Sequence, residues 1–112
     1  MAAHRSEVQL SLSAVVVAPI AEEVFFRGLL LPALWRQLGN VWVAVVLSGA
    51  AFGAIHVQLP QSVVPLITMG VILGYVRVHY RSLTACVLVH GLFNARTMTL
   101  VLLNPEMVQS GW

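Results

Sequence analysis

The sequence predicts an all-α membrane protein, a polytopic bundle of about four transmembrane helices. Hydrophobic residues make up 59% of its 112 residues and charged residues only 9%, whereas soluble domains average about 45–50% and about 25%. Six basic and four acidic side chains are too few to cover the surface of a soluble domain of this length. The same composition excludes disorder, which needs low hydrophobicity and high charge, and the single cysteine excludes a disulfide scaffold.

Four apolar stretches carry the helix prediction, and we assign them to a single domain over residues 1–112. They run over Val8–Leu34, Val41–Leu59, Val63–Val78 and Leu83–Leu103. A helix crosses a hydrocarbon core of about 30 Å with about 20 residues. The second and fourth stretches have this length, and the third is slightly short. The first is long enough only if the charged residues inside it are tolerated in the membrane.

Short polar segments separate these stretches and predict the turns between the helices. They lie at 35–40, 58–62, 77–82 and 104–106. Gly39 and Asn40 are residue types that stop helices, and Pro60 predicts a turn before the third helix. Tryptophans and tyrosines near these segments are typical of the aromatic belts at membrane surfaces.

Two pairs of glycines, each four residues apart, predict where helices pack closely. Gly49 and Gly53 lie in the second stretch, and Gly70 and Gly74 lie in the third. Small residues at this spacing let helix backbones approach each other in lipid. Packing within the chain is favoured over dimerisation.

The basic residues are six arginines scattered along the chain. Because they form no basic run, the net charge of +2 does not indicate a nucleic-acid partner. If the first stretch is one span, Arg36, Arg77 and Arg81 share one side of the membrane. The positive-inside rule assigns that side to the cytoplasm.

Several polar residues fall inside the apolar stretches, where they are costly. They are Glu22, Glu23, Arg27, His56, His90, Asn94 and Arg96. A charged residue at the centre of a lone helix costs roughly 2.5–3.5 kcal/mol on insertion scales. Such residues usually face the bundle interior or a water-filled cavity. The sequence therefore predicts a functional site inside the membrane.

The spacing of these residues indicates which of them lie together. Glu23 and Arg27 are four residues apart on one helical face, so they can pair, whereas Glu22 points about 100° away. His90 and Asn94 share the same spacing. Counting 1.5 Å per residue, Glu22, His56 and His90 reach depths that fit one shared layer about 10 Å thick.

Two hydrolytic chemistries suit one carboxylate and two imidazoles on three helices. In a zinc site, Glu22, His56 and His90 would be the ligands, with a fourth position open for water. In a metal-free site, Glu22 would act as general base on a water that His56 helps to orient. His90 and Asn94 would then donate hydrogen bonds to the oxyanion. Asparagine cannot act as a base, which favours the metal-free reading.

Three motifs in this order resemble those of the CPBP intramembrane proteases, also called the CAAX-protease or Abi family. Glu22 to Arg27 matches the EExxxR motif, Phe52 to His56 matches FxxxH, and His90 to Asn94 matches HxxxN. Each motif lies in a separate apolar stretch, so the combination is specific. The resemblance covers residues 19–94.

The resemblance implies a membrane-embedded endopeptidase. Its substrates would be prenylated or other membrane-associated proteins or peptides, cut near the C-terminus, and its location a bacterial-type cytoplasmic (inner) membrane. Glu22 and His56 would activate water, and His90 and Asn94 would bind the oxyanion. The supporting residues would be Glu23, Arg27 and Phe52. The family is often labelled as metalloproteases, so the cofactor is either none or zinc.

The chain also departs from the family pattern at its start. Family domains usually carry helices before the first motif, whereas Met1 lies only 21 residues before Glu22. We therefore expect an N-terminally truncated or a minimal member. A non-catalytic membrane protein of the bacteriocin-immunity type is the alternative function. A transporter fragment is disfavoured because the sequence has no inverted repeat.

Overall fold

The computed structural model describes residues 2–57, 60–104 and 106. Nearly all of these residues are helical, and none of them lies in a strand. The predicted all-α helical bundle is therefore confirmed. Two of the described helices are long and apolar enough to cross a membrane, and a third is apolar but shorter.

The first helix runs without interruption from Ala2 to Leu38. It comprises α1 (Ala2–Leu12), a π-helical segment (Ser13–Val17), α2 (Ala18–Glu23), a second π-helical segment (Val24–Leu30) and α3 (Leu31–Leu38). The residues at all four junctions have right-handed helical dihedral angles. The helix is thus longer than the predicted span of Val8–Leu34. It ends at Gly39, whose left-handed φ of 71° directs its N–H to the Trp35 carbonyl at 2.9 Å.

A proline follows each π-helical segment and explains why the segment occurs where it does. Pro19 and Pro32 lie in the first turns of α2 and α3. A proline inside a helix has no N–H to donate, and its ring collides with the carbonyl four residues earlier. Widening the preceding turn relieves this collision and keeps the chain helical. The second widened turn contains Arg27 and immediately follows Glu23.

Helix α4 (Val41–Ala54) begins at Asn40, whose side-chain oxygen accepts hydrogen bonds from the Trp42 and Val43 amides at 2.9 and 3.2 Å. The predicted span to Leu59 is too long, because the helix ends at Ala54. A tighter turn follows, in which the His56 amide donates to the Gly53 carbonyl. The last two residues of that predicted span lie outside the described part of the chain.

Helices α5 (Pro60–Tyr80) and α6 (Leu83–Leu103) are the two of membrane-spanning length. At 21 residues each, they are about 31 Å long. The turn predicted at 58–62 lies partly outside the described residues, and its last three residues belong to α5, because proline is tolerated at the first position of a helix, where no N–H bond is needed. Ser82 caps α6, which has the predicted bounds.

The glycines of α4 and α5 face each other where the two helices cross. A Cβ atom on Gly49 would lie 2.7 Å from the backbone nitrogen of Val71, and one on Gly70 would lie 2.8 Å from the Gly49 Cα. Gly53 and Gly74 make similarly close approaches to the opposite helix. The predicted packing within the chain is therefore confirmed, and it brings the two backbones into direct contact.

The apolar core lies among the first helix, α4, α5 and α6. It is built from Phe26, Phe52, Met69, Leu73 and Cys86, all at most 7% exposed. These residues surround a group of buried polar side chains. The bundle thus supplies an apolar wall around the charged residues that the sequence places inside the membrane.

Candidate active site

The innermost charges belong to the first helix. Glu23 and Arg27 are both 0% exposed, and Arg27 Nη1 donates to Glu23 Oε1 at 2.9 Å. Their spacing of one helical turn brings the two side chains together before any other helix is considered. Burying either charge alone would be costly, so each makes the burial of the other possible.

Helix α5 supplies a second partner for the guanidinium. Arg27 Nη2 donates to the backbone carbonyl of Gly70 at 2.6 Å. Gly70 is the residue that packs against Gly49, and its lack of a side chain leaves the backbone within reach of Arg27. Sequence reasoning missed this contact, although the glycine pair signalled a close approach at this position.

Helix α6 contributes His90, which lies between the two glutamates. His90 Nδ1 is 2.7 Å from Glu23 Oε1, and His90 Nε2 is 3.6 Å from Glu22 Oε2. Because a carboxylate only accepts, Nδ1 carries a proton and donates it to Glu23. The ring is therefore held with Nε2 directed at Glu22. His90 is 3% exposed, whereas the Glu22 side chain retains 29% exposure.

His56 follows α4 and is partly buried. Its Nδ1 lies 2.7 Å from the Phe52 carbonyl oxygen, one turn earlier in the chain. Since a carbonyl only accepts, Nδ1 carries the proton, and Nε2 of the neutral ring is left as an acceptor. Among the described residues, His56 forms no bond to either glutamate, so the structure does not pair it with Glu22.

Asn94 lies one turn after His90 on α6 and is partly buried. This position places it beyond His90 along the same helical face. Arg96, two residues further on, is exposed. Glu22 and Glu23 form their ion pairs with Arg27 and His90, and none of these pairs involves Arg96.

Phe52 packs against the charged side chains of the cluster from α4. Its ring is 1% exposed and lies 4.9 Å from the Arg27 guanidinium carbon. The ring also packs edge-to-face against the rings of His90 and Phe26, with distances between ring centroids of 5.5 and 5.3 Å. A guanidinium over an aromatic face is stabilised by the negative face of the ring. Phe52 therefore supports the charged side chains without taking part in their hydrogen bonds.

The zinc alternative requires Glu22, His56 and His90 to converge on one point. The described residues contain no group of three His, Cys, Asp or Glu side chains with the geometry to hold a metal ion. Nε2 is the atom of each imidazole that could bind a metal, because Nδ1 of His90 is bound to Glu23 and Nδ1 of His56 to a backbone carbonyl, but these atoms do not converge with Glu22 on one point. The side chains present do not fit a three-ligand zinc site.

The fold is a helical bundle with two helices of membrane-spanning length and a polar cluster in its interior, in which Glu23, Arg27 and His90 are buried and Glu22 is partly exposed. Residues 4–96 match the family model of type II CAAX prenyl endopeptidase Rce1-like proteins. The chain belongs to this family of integral membrane endopeptidases, as its three motifs predicted. No curated protein and no solved structure matches it significantly.

Proposed function

We propose that this chain is an intramembrane endopeptidase that hydrolyses a peptide bond near the C-terminus of a prenylated or other membrane-associated protein or peptide. The observation that carries the proposal is the position of His90 between Glu22 and Glu23 in the interior of the bundle. The family match supports the reaction class.

Glu22 is the general base of the proposed reaction because it is the carboxylate that water can reach. Its separation of 3.6 Å from His90 Nε2 allows one water molecule to lie within hydrogen-bonding distance of both groups. Glu22 takes a proton from this water as the water oxygen attacks the carbonyl carbon. The C–N bond of the tetrahedral intermediate then breaks, and the same proton passes to the leaving amine nitrogen.

Glu23 and Arg27 are positioning residues in this scheme. Glu23 holds Nδ1 of His90 and thereby fixes the direction of Nε2, as the third group of a catalytic triad fixes its histidine. Arg27 compensates the charge of Glu23 and ties it to α5 through the Gly70 carbonyl. Neither residue needs to touch the substrate.

His56, His90 and Asn94 supply the remaining hydrogen bonds. His56 Nε2 is an acceptor that orients the attacking water. His90, when protonated on both nitrogens, and the Asn94 amide donate to the oxyanion that forms on the substrate carbonyl. No step of this scheme passes through a metal ion.

The proposed location is a cytoplasmic (inner) membrane of bacterial type, with the end that carries Arg36, Arg77 and Arg81 in the cytoplasm. The positive-inside rule supports this orientation. A cysteine introduced at Arg36 should react with a membrane-impermeant thiol reagent only from the cytoplasmic side. Cys86, the one native cysteine, is buried.

The test of the activity is a cleavage assay on the full chain reconstituted in lipid, with a pool of prenylated and unprenylated peptides. Glu22→Gln should abolish cleavage while the protein still inserts and accumulates. Glu7→Gln is the matched control, because Glu7 is an exposed glutamate on α1. Equal turnover by the wild type and Glu22→Gln would refute the role of Glu22. No cleavage by any variant would contradict the endopeptidase and favour the immunity-type binding protein.

A further inference from the structure

A second polar feature lies at the end of the bundle, between the first helix and the end of α5. It is a cavity of about 500 Å³. Its polar lining is formed by Arg27, Trp35, Arg77 and Arg81, and its other walls are apolar. No acidic residue lines it, and of its three arginines only Arg27 is paired with a carboxylate, that of Glu23, among the described residues.

The arginines of the cavity have unused hydrogen-bond donors. Nε of Arg27 and Nε of Arg77 are both buried, and neither has a partner among the described residues. Arg27 is itself 0% exposed. A buried N–H group without a partner is destabilising, and both of these donors belong to arginines that line the cavity.

The position of the cavity identifies the kind of anion. Trp35 lies near the end of the first helix and is 48% exposed, and Tyr80, at the end of α5, is 64% exposed. Exposed aromatic residues at helix ends mark the level of lipid headgroups. An arginine that merely extends from a helix end into water would leave neither a walled cavity nor a buried donor.

We propose that this cavity binds the phosphate of an anionic lipid headgroup. The planar guanidinium groups of Arg77 and Arg81 suit the oxygens of a phosphate, which they contact in pairs. Trp35 and the apolar walls would lie against the glycerol and the upper acyl chains. Basic pockets between transmembrane helices on the cytoplasmic side are typical sites for such headgroups. The inference depends on the membrane placement of the chain and not on its proposed peptidase activity.

The test is a binding titration of the full chain in mild, uncharged detergent with short-chain phosphatidylglycerol. Phosphatidylcholine, inorganic phosphate and a peptide with a free C-terminal carboxylate are titrated in parallel. We expect phosphatidylglycerol to bind and the other three to bind at least about tenfold more weakly, because only phosphatidylglycerol combines net negative charge with acyl chains. Tight binding of inorganic phosphate would identify a free phosphate as the ligand. A preference for the peptide would assign the cavity to a peptide carboxylate. Either result would overturn the proposal.

Variants of the arginines complete the design. Arg77→Gln and Arg81→Gln should each weaken the binding of phosphatidylglycerol about tenfold or more, and Arg77→Lys should weaken it less because it keeps the charge. Arg36→Gln is the matched control, an exposed arginine near the same end that does not line the cavity. Equal affinity in the wild type and Arg81→Gln would overturn the proposal, as would an equal loss in Arg36→Gln. Arg81 is exposed, so its variant tests the site even if Arg77→Gln does not fold.

Discussion

Replacing Glu23 by glutamine should destabilise the bundle more than any other change of one carboxylate in the chain. Glu23 is fully buried, and its Oε1 accepts from Arg27 at 2.9 Å and from His90 at 2.7 Å. The glutamine removes the charge and leaves the Arg27 guanidinium buried without compensation. Removing one partner of a buried ion pair costs about 3–5 kcal/mol. In addition, Oε2 of Glu23 has no partner among the described residues, so an amide nitrogen placed there would be unpaired.

The measurement is the free energy of unfolding in mild detergent for a double-mutant cycle. Glu23→Gln and Arg27→Met should each lower it by about 3–5 kcal/mol. The double variant should lose clearly less than the sum, because it buries no uncompensated charge. Glu22→Gln is the control, with an expected loss below about 1 kcal/mol, because the Glu22 side chain is 29% exposed and lies 3.6 Å from its partner. Strict additivity in the cycle, or equal losses for Glu22→Gln and Glu23→Gln, would refute the reasoning.

Three further changes test the packing around the site by the same unfolding measurement. Gly49→Val should prevent the close crossing of α4 and α5, because its Cβ would lie 2.7 Å from the backbone nitrogen of Val71. Gly28→Ala is the control and should be tolerated, because the nearest atom to its Cβ would be 3.7 Å away. Equal losses of unfolding free energy in the two variants would contradict the close crossing. Phe52→Ala should cost about 3–5 kcal/mol, and Phe25→Ala, at a ring that is 52% exposed, should cost much less. Asn40→Ala should cost about 1 kcal/mol because two amides lose their cap, and no loss would show that water replaces it.

The helices could be predicted from the sequence because each is specified locally. Apolar composition and the flanking Asn40 and Ser82 determine where α4 and α6 begin. The sequence did not predict that α5 begins at Pro60 and not at Val63, because proline acts in two opposite ways, as a breaker inside a helix and as a good first residue. The π-helical segments could not be predicted either. They depend on how the chain resolves a local collision with Pro19 and Pro32 that periodicity does not describe.

The side chains that the structure brings together, Glu22, Glu23, Arg27 and His90, are all ones that the sequence singles out, but the sequence predicts only some of their contacts. The pairing of Glu23 with Arg27 follows from spacing on one helix. The contact between His90 and Glu23 depends on how α6 is rotated against the first helix, and depth along a helix does not determine rotation. The sequence therefore placed Glu22, His56 and His90 in one layer without indicating that His90 contacts both glutamates. The hydrogen bond from Arg27 to the Gly70 carbonyl could not be predicted for another reason, because every residue has a backbone carbonyl and the sequence does not mark which one is used.

The internal pairing of Glu23 with Arg27 has a consequence for how the protein is made. Both charges belong to one helix, so they compensate each other as soon as that helix forms, before α5 and α6 have been synthesised. If this segment spans the membrane, as the sequence predicts, it inserts with Glu23 and Arg27 already paired. Two polar groups are then left for later partners, since Arg27 Nη2 awaits the Gly70 carbonyl and Glu23 awaits His90. We expect α5 and α6 to dock against the first helix by forming these two hydrogen bonds.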